Sequence, residues 1–112
     1  MKKLLFVIWS ANKGTFTHIM MNALDFNKKG YEIGVVLESE GCKLIPMYEE
    51  NVNEKFEKMK ELGLIVSVCR ACAQATGALE SAEKQGLPIH DELFGHPSLE
   101  KWIKEGYELI SV

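Results

Sequence analysis

The chain has 112 residues, 46% of them hydrophobic and 26% charged, with a formal net charge of -3. That length holds one core and not two, so a single domain spanning residues 1–112 is expected. The acidic balance, with no cluster of Lys and Arg, excludes the electrostatic footprint of a nucleic-acid-binding protein.

Met1-Lys2-Lys3 followed by the apolar run Leu4–Trp9 resembles the start of a signal peptide. The run is too short, and no small-residue cleavage site follows it. No stretch is long enough to span a membrane. The expected compartment is therefore the cytoplasm, where thiols stay reduced.

Leu4–Trp9 is continuously apolar and predicts a central strand covered on both faces. Ser10–Gly14 follows as a turn, with Thr15 as the expected N-cap. Phe16, Ile19, Met20, Ala23 and Leu24 have the spacing of an amphipathic helix that ends at Lys28-Lys29-Gly30. Tyr31–Leu37 reads as the second strand, with Gly34 allowing a neighbour to pack closely. Glu38–Lys43 is read as its C-terminal loop, and Pro46 is expected to prevent an early long helix. Val52, Phe56, Met59 and Leu62 form the next helical stripe, stopped by Gly63.

Leu64–Val68 is a third buried strand, and it runs directly into Cys69-Arg70-Ala71-Cys72. The small residues from Arg70 onward predict a helix with Cys72, Ala75 and Leu79 on one face, interrupted at Gly77. Leu79–Gln85 continues as further helical turns, and Leu87-Pro88-Ile89 makes a short fourth strand. His90–His96 is irregular. Pro97-Ser98 opens a helix carrying Leu99, Trp102 and Ile103, and Tyr107–Val112 is a closing strand. Alternating strands and helices imply an α/β fold: a mostly parallel five-stranded sheet with helices on both faces.

In such sheets the ligand crevice lies beyond the carboxyl ends of the strands. Three segments fall there, and their residues are the candidates to line it: Ser10, Asn12 and Lys13; Glu38, Glu40 and Cys42; and Cys69 to Cys72. Ser10–Thr15 matches neither phosphate-loop pattern, so ordinary turn chemistry is expected there. Cys69 stands at the first helical turn, where free backbone N–H groups, the helix dipole and the adjacent Arg70 favour a thiolate. Cys69 is accordingly the expected nucleophile, with Cys72 as a resolving or auxiliary thiol and Arg70 as a stabilising cation.

Cys69, Cys72, His90 and His96 also make a C-x2-C-x17-H-x5-H pattern, close to zinc-finger spacing. A chain with its own core has no need of a structural metal, and no metal and no cofactor are expected. His18 falls on the polar side of the first helix and reads as a solvated side chain.

Taken together, the apolar first strand, the amphipathic helix ending at Gly30, the acidic glycine loop Glu38–Gly41, the third strand entering Cys69 and the closing strand after Gly106 resemble the DsrE/DsrF-like family of sulfur metabolism. The resemblance implies a three-layer α/β/α protein that assembles with itself as a trimer or a trimer-based hexamer. It also implies a sulfur relay, in which a cysteine at the turn after the third strand holds sulfur as a persulfide between donor and acceptor proteins. Cys69 stands at that position. Relay members do not require a second cysteine three residues on. Cys72 therefore keeps two alternatives open: a thiol–disulfide oxidoreductase, or a non-enzymatic oligomeric module that binds a small ligand or zinc.

Overall fold

The computed structural model describes residues 2–112. Five strands, β1 (Lys3–Ile8), β2 (Glu32–Leu37), β3 (Ile65–Cys69), β4 (Ile89–His90) and β5 (Tyr107–Ser111), form one sheet in the order β4-β3-β2-β1-β5. Every pairing is parallel. Six helices connect them: α1 (Lys13–Lys28), α2 (Leu44–Glu50), α3 (Glu54–Glu61), α4 (Arg70–Thr76), α5 (Leu79–Lys84) and α6 (Glu100–Lys104).

The strand order decides which face each helix covers. From β1 to β4 the chain steps across the sheet in one direction, and right-handed crossovers then lay α1 through α5 on a single face. The last crossover, β4 to β5, runs the opposite way and puts α6 on the other face. The two apolar clusters follow this division. Leu4, Phe6, Ile8, Ile33, Val35 and Leu37 pack with Phe16, Met20, Phe56 and Met59 from the helices of the thick layer. Leu5, Val7 and Val36 point the other way and meet Trp102 of α6. The thin layer is one five-residue helix.

Local chemistry sets the element ends. Asn12 is the N-cap of α1, its side-chain oxygen accepting from the Thr15 N–H at 2.8 Å, so the cap falls three residues before the expected Thr15. Ser10 accepts in turn from the Asn12 N–H. Asn53 caps α3, which begins at Glu54; Phe56 and Met59 are buried while Val52 lies outside the helix and is exposed. The segment after β2 is more ordered than the expected loop. A 3₁₀ turn, Ser39–Lys43, leads straight into α2. Pro46 is the third residue of α2, where the missing N–H would lack an intrahelical partner anyway.

Two glycines permit close approaches. A Cβ on Gly34 would meet Leu5 and Val66 side chains, so β2 is bare where its neighbours pack across it. A Cβ on Gly41 would collide with the Ile8 carbonyl oxygen, so the 3₁₀ turn presses directly on the end of β1. Among the described residues no helix is long and apolar enough to cross a membrane.

Candidate functional site

β3 and β4 are neighbours, but the chain leaves them toward opposite faces, β3 into α4 and β4 into the loop before α6. Such a switch point opens a crevice beyond the strand ends. The site forms there. Along β3, Ile65 and Val68 both face the thick layer although they are three positions apart. The register shift opposite Val35/Val36 supplies the extra residue this needs, which is a β-bulge at Val66. Cys69 then ends the strand with φ -69 and ψ 115 and becomes the N-cap of α4, its Sγ accepting from the Cys72 N–H at 3.4 Å.

The loop after β4 brings in His96, which the sequence placed only in the zinc-like spacing. Leu93 and His96 pair as a two-residue hairpin, with N–H to O distances of 2.7 and 2.8 Å. Its central residues, Phe94 (φ 50) and Gly95 (φ 91), both have positive φ, the mark of a primed turn. Phenylalanine in that conformation costs roughly 1–2 kcal/mol. Two anchors hold the hairpin in place. The Ala71 N–H at the start of α4 donates to the Gly95 carbonyl at 2.9 Å. Glu92 accepts from the Ser98 N–H and from Lys101 Nζ, both at 2.8 Å, and these bonds push its carboxyl down to about 2.

The result is a four-residue cluster. His96 Nδ1 lies 2.9 Å from Cys69 Sγ, 3.7 Å from Cys72 Sγ and 3.9 Å from Glu38 Oε1. The Cys72 thiol also donates to Glu38 Oε1 at 3.6 Å. All four ligand-type atoms fall within 4.8 Å of one another. Glu38 comes from the end of β2 and is 4% exposed, its backbone N–H bonded to the Ile8 carbonyl. In front of the cluster lies an open cleft of about 800 Å³ whose walls include Trp9, Ser39, Leu93 and Phe94. Ser39 (φ 49) and Phe94, the non-glycine residues with positive φ among those described, both stand on it.

The candidate residues from the sequence separate into distinct environments. Cys72 and Glu38 line the cleft. Cys69 has no exposed surface; burial pushes its thiol up, the Glu38 carboxylate adds to this, and the Cys72 backbone N–H opposes it. That is a correction to the expected ready thiolate, because the strand end is covered rather than open. Arg70 is exposed and makes no ion pair among the described residues. Ser10, Asn12 and Lys13 lie in the exposed turn that caps α1, and the neighbouring Trp9 is the residue that walls the cleft, its indole N–H bonded to Ser111. Glu40 is paired with Lys43 at the surface. Cys42 is sealed in the core with its thiol toward the Leu37 and Cys69 carbonyls, and burial pushes it up to about 12.

The zinc-finger spacing also divides. His90 is turned away, its Nδ1 bonded to Ser67 Oγ at 2.7 Å and its ring set edge-on to Trp102. Glu38 takes the place beside His96 that the spacing had offered to His90. Neither Glu38 nor His96 is near the cysteines in sequence.

The family model for DsrE/DsrF-like proteins matches residues 2–112. The chain belongs to the DsrE/DsrF-like family. An uncharacterized protein of Methanocaldococcus jannaschii is 30% identical, the match covering 98% of this chain and 95% of that protein. A solved structure of a conserved protein of unknown function from Bacteroides thetaiotaomicron superposes on this DsrE-like fold with a TM-score of 0.74 at 19% identity, covering 99% of this chain and 95% of that one. That structural likeness extends the fold and not the chemistry.

Proposed function

We propose that this chain is a sulfur carrier that holds sulfane sulfur as a persulfide on the Cys69–Cys72 pair. Family membership supports the class. The observation that carries it is the convergence of both thiols of one motif on a single imidazole at the mouth of an apolar cleft.

Sulfur enters at Cys72, the thiol that reaches the cleft. His96 Nδ1, 3.7 Å away, takes the Cys72 proton. The thiolate attacks the outer sulfur of a donor persulfide, forming a new S–S bond on Cys72 as the donor's S–S bond breaks. The donor leaves as a thiolate, and no electrons are gained or lost overall. An acceptor thiolate repeats the exchange in reverse. Cys69 waits behind as the second thiol; its attack on Cys72 would close a disulfide and expel hydrogen sulfide. The donor and acceptor are other thiol-bearing proteins, and the carrier works as an assembly of copies. Exposed Ile103 and Leu109 on the thinly covered face and exposed Phe94 at the cleft support that assembly.

The test is intact denatured mass after incubating the reduced protein with a small-molecule persulfide. One added sulfur atom, removed by reductant, absent in Cys72→Ser and retained in Cys42→Ser, is expected. A wild-type chain that takes up no sulfur, or takes it up equally in Cys72→Ser, overturns the reading.

A further inference from the structure

The same cluster carries a property that sulfur exchange does not require. We propose that Cys69, Cys72, His96 and Glu38 form a four-coordinate binding site for a zinc-class divalent cation.

Three observations bear on it. First, the donor set is two thiols, an imidazole and a carboxylate, which is the chemistry that zinc selects over the hard, oxygen-seeking cations. Second, the spacing is close to that of a tetrahedron. Bonds of the usual zinc–sulfur and zinc–nitrogen lengths place neighbouring ligand atoms about 3.3–3.8 Å apart. The Cys72–His96, Cys72–Glu38 and His96–Glu38 separations are 3.7, 3.6 and 3.9 Å. The Cys69–His96 hydrogen bond, at 2.9 Å, must open as the ion replaces its proton, and every other pair lies within 4.8 Å.

Third, Glu38 is a buried carboxylate without a fixed cation. Its side chain is 5% exposed, and among the described residues its ion-pair contact within 4.0 Å is His96, with no Lys or Arg. Buried charges are paired or bound to metals. Glu38 is aimed at the two thiols, and its partners there are a long thiol hydrogen bond and the imidazole. A divalent ion at the centre of the four atoms meets that need. The Cys72 N–H already donates to Cys69 Sγ, a bond that strengthens once the sulfur is a metal-bound thiolate.

Binding converts both thiols to thiolates and releases two protons, with His96 contributing its neutral ring. The four donors come from the ends of β2 and β3, the first turn of α4 and the hairpin before α6. An ion here would therefore tie that hairpin to the thick layer. It would also occupy the thiols that sulfur exchange needs, so the metal-bound and sulfur-loaded states exclude each other.

The experiment uses the full chain, reduced and stripped of metal, titrated with zinc(II) and separately with cobalt(II). One ion per chain is expected. The cobalt complex should show the intense visible bands of four-coordinate cobalt and a thiolate-to-metal band in the near ultraviolet. Glu38→Gln and His96→Ala should each weaken zinc at least about tenfold, and Cys72→Ser by about a hundredfold or more. His18→Ala, at an exposed residue of α1, should leave the affinity unchanged. Circular dichroism on each variant separates lost ligands from lost fold. Less than stoichiometric zinc on the folded wild type, a weak six-coordinate cobalt spectrum, or undiminished affinity in folded Glu38→Gln and His96→Ala overturns the four-residue site. Sulfur uptake is measured on separate metal-free protein, so its failure cannot be mistaken for loss of this site.

Discussion

Cys69 Sγ and His96 Nδ1 stand 2.9 Å apart, although 27 positions separate them in the chain. The contact exists because β3 and β4 are adjacent while their continuations diverge. α4 turns onto the thick layer, and the Leu93–His96 hairpin folds back over the gap. The backbone bond from Ala71 to Gly95 latches the two continuations together one residue from His96. The imidazole is thereby held over both cysteines of the motif.

The three thiols should differ in reactivity in the order that their burial sets. Cys72 lines the cleft, whereas Cys69 and Cys42 have no exposed surface. With limiting iodoacetamide near neutral pH and peptide mapping, Cys72 should be alkylated at least about tenfold faster than either of the others. Equal rates at all three, or Cys69 reacting first, would contradict the placement of Cys72 as the entry point.

Gly41→Ala should destabilise the fold and loosen Glu38. The added Cβ falls on the Ile8 carbonyl oxygen, a backbone atom that cannot rotate away. The same carbonyl accepts from the Glu38 N–H at 2.9 Å. A loss of about 1–3 kcal/mol is expected from urea unfolding, as for other overpacked core positions. Gly30→Ala gives the contrasting case, because its Cβ would meet nothing and only its φ of 94 resists the change.

Stability should fall in alkaline solution. Burial raises the Cys42 thiol from its ordinary 9.0 to about 12, so the folded chain keeps a proton that the unfolded chain releases. The contribution is complete below 9.0 and is lost as pH rises from there toward 12. Within that window Cys42 adds a slope of about 1.4 kcal/mol per pH unit. Urea midpoints across the window should drop less steeply in Cys42→Ala than in the parent, even though the variant starts lower. Parallel curves would show that the thiol is not held neutral by the fold.

Glu92 gives the opposite sign. Its bonds to Lys101 and the Ser98 N–H lower its carboxyl from an ordinary 4.5 to about 2. Its stabilisation is present above 4.5 and fades as pH falls toward 2. The carboxylate is solvent-exposed, so the effect on global stability is at most about 1 kcal/mol. The local effect is the better measure. The Ser98 amide resonance should titrate with a midpoint near 2 and not near 4.5. Glu92→Ala should speed exchange of the His96 and Ser98 amides.

How far the chain could be read varied with the range of the interactions involved. The strands and helices were legible because apolar spacing is local: Leu4–Trp9 and Leu64–Val68 fall within one residue of β1 and β3, and the Phe16 to Leu24 stripe lies inside α1. The expected α1 cap differs by three residues because Asn12 and Thr15 are both able to cap, and the bond from the Thr15 N–H to the Asn12 side-chain oxygen assigns donor and acceptor. The 3₁₀ turn after β2 was invisible, since its close contact is with the Ile8 carbonyl, far away in sequence.

By itself the sequence determined the α/β alternation, the family resemblance and the presence of Cys69 and Cys72 at the entrance to a helix. These depend on the period of the side chains and on neighbours a few residues apart. Only the tertiary structure decided that all strands are parallel in the order β4-β3-β2-β1-β5, that Cys69 is covered while Cys72 meets the cleft, and that His96 and Glu38 join them in place of His90, Arg70 and Lys13. The physical reason is that burial and charge proximity belong to the packing of distant segments. The direction of one crossover, β4 to β5, carries the His96 hairpin over the end of β3.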